Sequence, residues 1–150
     1  EPMATIDDVR GVVALDHGLA TLSTLRADGF VQSTVVNAGV IDHPTTKEPV
    51  AAFVGRPGTA KLRHLRARPQ ATLLWRAGWA WVAAEGTVEL IGPDDPHPLV
   101  PLSELPRLLR RIHASAGGGH DDDWVEFDRT VAAERRVAVL LTPRRIYVNP

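Results

Sequence analysis

V-A-A-F-V-G-R-P-G-T-A-K-L-R-H-L-R-A-R-P, Val50 to Pro69, is the stretch from which the fold is read. Its apolar run Val50 to Val54 has the length and composition of a strand. Gly55, Arg56, Pro57 and Gly58 break that strand. Thr59 stands at an N-cap position, and Leu62 and Leu65 lie three apart on one side of a short helix. Pro69 ends the helix, because the residue before a proline avoids the α region. The first helical turn carries Lys61, with Arg56 just ahead of it. Unpaired N–H groups, a hydroxyl and an ammonium then converge on one point, which suits an anion such as a phosphate. The order G-x-x-x-x-G-K-[ST] is absent, so this is not a P-loop. Taken alone, basic residues on a short helix read as a solvated face; the rest of the chain shifts the balance.

Upstream, Thr5 caps a short helix on which Ile6, Val9 and Val13 share a face, with Asp7 and Asp8 at its positive end. Gly18 ends that segment. Leu19 to Leu25 reads as a strand, Asp28-Gly29 as a hairpin turn, and Phe30 to Ile41 as a long second strand. Gln32, Ser33, Thr34 and Asn37 put polar groups on both of its faces. This reads either as one wet face or as a strand that hydrogen-bonds a flat polar ligand. Gly39 reads as a bend or bulge.

Downstream, Ala71 to Trp75 and Trp79 to Ile91 are strands. In the second, Val82, Ala84, Gly86, Val88 and Leu90 form a small or apolar face turned to a core. Gly86 leaves room there for a closed sheet to bend. Ser103 is expected to cap a helix carrying Leu105, Leu108, Leu109 and Ile112 on one face. A flexible acidic loop, Ala116 to Asp123, follows. His120 with Asp121, Asp122 and Asp123 reads as a solvated turn rather than a metal site. Trp124 to Arg135 is a further short helix, and Arg136 to Leu141 and Arg144 to Val148 are read as two last strands. About six or seven antiparallel strands with short connections fit a mainly β, small closed barrel with short helices.

The chain of 150 residues suits one domain, 1–150, with Glu1-Pro2 before Met3 reading as a vector-derived remnant. A formal net charge of −1 provides no global field toward nucleic acid. That charge argues against nucleic acid as a partner, despite the cluster Arg56, Lys61, Arg63, Arg66 and Arg68. No apolar run is long enough for a membrane span and no signal-peptide pattern is visible. The absence of cysteine excludes disulfides and thiolate ligands and fits a cytoplasmic protein.

Four pieces, in order, carry a family resemblance. They are L-A-T-L-S-T-L-R-A-D-G-F-V-Q-S-T-V-V (Leu19 to Val36), T-A-K-L-R-H-L-R-A-R-P (Thr59 to Pro69), W-V-A-A-E-G-T-V-E-L (Trp81 to Leu90) and R-V-A-V-L-L-T-P-R-R-I-Y-V (Arg136 to Val148). Together they resemble the split β-barrel flavin and deazaflavin oxidoreductases, the pyridoxamine 5′-phosphate oxidase-like group. Among these the actinobacterial branch that uses coenzyme F-420 looks nearest. The resemblance implies an FMN-binding-like Greek-key barrel and a homodimer with cofactor sites between the subunits. It implies that Lys61 and Thr59 hold the cofactor phosphate, that Gly58 and Ala60 add backbone N–H groups, and that Arg56 lies at the rim. Ser33, Thr34, Val35 and Asn37 would lie along the ring system, and Trp79 or Trp75 of the partner subunit would close the pocket.

Some relatives carry arginine where Thr59 and Ala60 stand. A hydroxyl holds phosphate more weakly than a guanidinium, which favours the deazaflavin over FMN. Arg56, Arg63, His64, Arg66 and Arg68 are candidates for its anionic tail. The resemblance implies an F-420-dependent reductase acting on an enone, imine or tetrapyrrole, with the cofactor carrying the chemistry. FMN is the alternative cofactor, and a non-catalytic deazaflavin carrier is the alternative role. No nucleophile–base constellation is visible. His17, His43 and His64 read as surface histidines before they read as proton donors. Loops Ile41 to Pro49 and Gly92 to Pro101 are expected to shape the acceptor pocket.

Overall fold

The computed structural model describes residues 4–117 and 123–149. Six antiparallel strands close into a barrel: β1 (Leu19–Leu25), β2 (Val31–Asp42), β3 (Pro49–Gly55), β4 (Gln70–Ala77), β5 (Ala80–Ile91) and β6 (Val137–Val148). Their order around the barrel is β1-β2-β3-β6-β5-β4. The described residues also form four short α-helices: α1 (Ile6–Val13), α2 (Ala60–Ala67), α3 (Leu105–Ser115) and α4 (Trp124–Ala133). None of their helices is long and apolar enough to cross a membrane.

Strand patterns report which faces are covered. β1 and β4 alternate, so Ala20, Leu22, Leu73 and Trp75 point into the barrel while their neighbours face out. The apolar runs of β3 and the first half of β6 do not alternate because both their faces are buried. Ala51, Phe53, Val137, Val139 and Leu141 fill the barrel. Val50, Ala52, Ala138 and Leu140 instead meet Leu105, Leu108, Leu109 and Ile112 of α3 in a second core. The helical spacing read for those four residues is thus the packing stripe of α3. α1 adds Val9 and Val13 to the barrel core, and α2 adds Leu62 and Leu65.

Several local expectations change. The two final strands are one, β6, bent at Pro143 where the pairing with β5 slips between Glu85 and Gly86. Arg144 is the extra residue of that bulge, which re-aims the strand instead of ending it. Gly86 faces the slip, and a Cβ there would sit 1.9 Å from the Thr142 carbonyl oxygen. Gly39 is no bulge, since the β2–β3 register runs through it unbroken. It is a point of close approach, where a Cβ would lie 2.5 Å from the backbone of Ser115 on α3. Ser103 does not cap α3; it lies in a 3-10 turn, Leu102–Glu104, and Glu104 holds the cap position without a side-chain bond.

Candidate functional site

The chain leaves β3 at Gly55 and turns through Gly58, whose φ of 79° favours glycine. Arg63 Nη1 donates to the Gly58 carbonyl at 2.8 Å, holding the turn against the helix it precedes. Thr59 occupies the N-cap position with extended backbone, but its side chain does not cap. Its hydroxyl donates to the Arg56 carbonyl at 2.9 Å. The hydroxyl thus steadies the loop, and the first-turn N–H groups of α2 have no side-chain cap. These groups lack intrahelical acceptors and mark the positive end of the helix. Ala60 and Lys61 open that turn. Lys61 and Arg56 form no ion pair among the described residues.

Beside this turn lies a groove of about 450 Å³. β2 contributes Val35, Val36 and Asn37 to it, and β3 contributes Phe53, Val54 and Gly55. Ile112, His113 and Ala116 come from α3, and Phe127, Thr130 and Val131 from α4. Arg56, Lys61 and Arg136 supply its cations. A cationic end and an apolar wall suit a flat ring system that carries an anionic tail. Glu134 accepts from Arg136 Nε at 2.9 Å. That bond, then the charge of Arg136, and more weakly the charge of Arg56, hold the Glu134 carboxyl below its usual range.

The residues expected at the site are distributed unequally. Val35, Asn37, Arg56 and Lys61 line the groove. Gly58, Thr59 and Ala60 form the adjoining turn. Ser33 lies on the outward face of β2, its Oγ 3.2 Å from Ser23 Oγ on β1. Thr34 has the opposite parity, and its hydroxyl is buried without a hydrogen-bond partner among the described residues. Asn37, with its amide nitrogen turned toward them, donates to the carbonyls of His17 at 3.0 Å and Ala116 at 3.1 Å. It therefore ties the end of α3 to β2 as well as lining the groove. Trp75 is a barrel-core residue, 0% exposed, with Nε1 donating to the Ala38 carbonyl at 3.0 Å. It is not free to stack on a ligand of a second subunit. Trp79, at the β4–β5 hairpin, is 89% exposed.

Most of the expected tail partners are engaged elsewhere. Arg66 binds both oxygens of Asp95 at 2.8 Å, Arg68 Nε donates to the Leu25 carbonyl, and His64 Nδ1 meets Thr24 Oγ1 at 3.0 Å. His43 is not a surface residue; it is 4% exposed. The loops expected to shape the acceptor pocket do not line this groove. His120, Asp121 and Asp122 lie outside the described residues, while Asp123 accepts from the N–H groups of Val125 and Glu126 and so caps α4.

Arg136 and the α3–α4 wall were absent from the sequence reading. One signal for Arg136 was available. Pairing V-A-V-L-L antiparallel with A-A-F-V-G brings Arg136, the residue before one run, opposite Arg56, the residue after the other.

A family model described as pyridoxamine 5′-phosphate oxidase matches residues 7–148. Among solved structures, a conserved hypothetical protein of Mycobacterium tuberculosis superposes with a TM-score of 0.65 at 20% identity, over 92% of this chain and 81% of that one. A pyridoxamine 5′-phosphate oxidase-related, FMN-binding protein of Nostoc punctiforme gives 0.62 at 13% identity, over 99% and 86%. A protein described as an F-420 reductase gives 0.53 at 17% identity, over 89% and 92%. At these identities the superpositions speak for the fold.

Proposed function

This chain belongs to the pyridoxamine 5′-phosphate oxidase family, and from that premise we propose that it is a flavin-type oxidoreductase that uses coenzyme F-420 to reduce an electron-poor small molecule. The observation that carries the reading is the groove itself. Lys61, Arg56 and uncapped helix N–H groups stand at one end, and Val35, Phe53, Ile112 and Phe127 form a wall beyond them.

The chemistry such a cofactor supplies when bound is hydride donation to an enone, imine or tetrapyrrole acceptor. The chain's own residues bind, orient and exclude water. Lys61 and the first turn of α2 hold an anionic group, with Arg56 beside them. Val35 and Phe53 offer apolar surface to a ring, and α3 with α4 shields it from solvent on one side. Preference for the deazaflavin is supported by Thr59, whose hydroxyl is occupied by Arg56, and by Ala60, which offers no side-chain donor.

A homodimer completes the reading. Val31 and Val35 are 62% and 71% exposed on the outward face of β2, beside the half-exposed Leu19 and Leu25 of β1. A second barrel on that face would cover them and bring its Trp79 hairpin toward the groove. The FMN reading is favoured by the FMN-binding protein of the same fold. Paired titration of the protein with F-420 and FMN separates the two. Tight F-420 binding with weak FMN binding is expected; the reverse order moves the protein to flavin chemistry, and binding of neither removes the proposal.

A further inference from the structure

Arg56 and Arg136 are set against each other at the end of the β3–β6 ladder. Gly55 pairs with Val137 in the last rung, and one further step in that register puts Arg56 opposite Arg136. Like charges directly across a ladder repel. Lys61 lines the same groove, adding a third cation. The carboxylate set against Arg136 is Glu134, and backbone geometry fixes it there. Glu134 is the C-cap of α4, and Arg135 follows in the left-handed region at φ 52°. The Arg136 N–H returns to the Val131 carbonyl at 2.9 Å, a Schellman closure. The Arg135 side chain turns away to Asp94, with Nη2 donating to Oδ1 at 2.6 Å. The chain has thus placed a counter-ion at a cationic cluster that otherwise repels itself.

We propose that Glu134 is a resident competitor for Arg136, so that an anionic ligand must displace its carboxylate to recruit the third cation of the groove. The inference rests on the groove being the cofactor site. Its consequence is selection by charge. A phosphate-bearing ligand outcompetes a single carboxylate for the Arg56–Arg136 pair, and an uncharged analogue of the same ring does not. Glu134 therefore weakens binding overall while it sharpens discrimination.

The test is calorimetric titration of the full chain with F-420, FMN and riboflavin, using wild type, Glu134→Gln, Arg136→Gln and the double variant. Glu134→Gln is expected to tighten the phosphate-bearing ligands by about two- to fivefold, the range of a half-exposed ion pair, and to leave riboflavin unchanged. Arg136→Gln is expected to weaken those ligands by about tenfold. In the double variant the gain from Glu134→Gln should vanish, because its target is gone. Glu134→Asp, too short to keep the bond, should reproduce the gain if the Gln variant folds poorly. Unchanged or weaker phosphate-ligand binding in both Glu134 variants, with Lys61→Ala still damaging, overturns this inference and leaves the groove reading standing. A wild type that binds none of the three ligands overturns the groove reading and this inference with it.

Discussion

His43 Nε2 donates to Glu89 Oε2 at 2.6 Å, and the direction of that bond follows from the other side of the ring. Nδ1 accepts from the Thr45 N–H at 3.1 Å, so the proton sits on Nε2. His97 repeats the arrangement, its Nδ1 accepting from the Leu99 N–H and its Nε2 donating to Glu89 Oε1 at 3.3 Å. One carboxylate on β5 thus clips two loops, the one between β2 and β3 and the one after β5.

Burial would raise the Glu89 carboxyl, but the hydrogen bonds from His43 and His97 more than offset it and hold it below its usual range. A carboxyl depressed in the folded state contributes stability above its unfolded value and loses it as pH falls through the folded one. Thermal melts of wild type should therefore fall between roughly pH 5 and pH 3, and Glu89→Gln should fall less steeply across that window. Equal slopes would remove Glu89 from the acid response.

Lys61→Ala should weaken cofactor binding by about 1.5–3 kcal/mol, the range for a hydrogen bond to a charged group. Its melting temperature should stay near that of wild type, because Lys61 forms no ion pair or side-chain hydrogen bond among the described residues. Fluorescence titration reads the first and calorimetry the second. Unchanged affinity would displace the anion site from α2.

Glycines in different surroundings predict opposite signs. Gly86→Ala forces a methyl against the Thr142 carbonyl and should destabilise by about 1–3 kcal/mol or more. Gly11 sits in α1 with nothing within 4 Å of an added Cβ. Gly11→Ala should stabilise by about 0.5–1 kcal/mol through helix propensity. Urea unfolding of both variants gives the comparison.

The two tryptophans at β4 and its hairpin should separate stability from assembly. Trp75→Ala empties the barrel core and should cost about 3–5 kcal/mol. Trp79→Ala removes an exposed ring and should leave the monomer's stability unchanged, while it weakens cofactor binding if the hairpin reaches a second subunit's groove. Sedimentation and titration of Trp79→Ala, run together, check this. No change in either would leave that hairpin without a role in the site.

Legibility followed locality. The ends of β1 are legible because its faces alternate, and the packing face of α3 because four apolar residues keep helical spacing. The turn Arg56 to Lys61 is likewise local, since its residues follow one another in the sequence. Pro143 misled the reading, since a proline breaks a strand unless a bulge absorbs it, and that bulge depends on Gly86 in another strand. Ser103 looked like a cap, but a 3-10 turn starts the helix later. His43 looked like a surface residue because its partner Glu89 lies on a distant strand. Arg136 escaped for the same reason: its place beside Arg56 is a property of pairing, visible only once β3 and β6 are aligned.

Closure of the barrel has a consequence for how this protein can meet others. Each of the six strands already has a hydrogen-bonded neighbour on both sides. The row of spare N–H and C=O groups that lets a foreign strand extend a sheet is confined to two half-strands, 31–37 of β2 and 142–148 of β6, which pair on one side only. Over the rest of the wall, association with another chain must use side chains. Such contact is selective by shape and composition, whereas main-chain pairing accepts almost any extended segment. Closure thus narrows a common route to templated aggregation to two short edges.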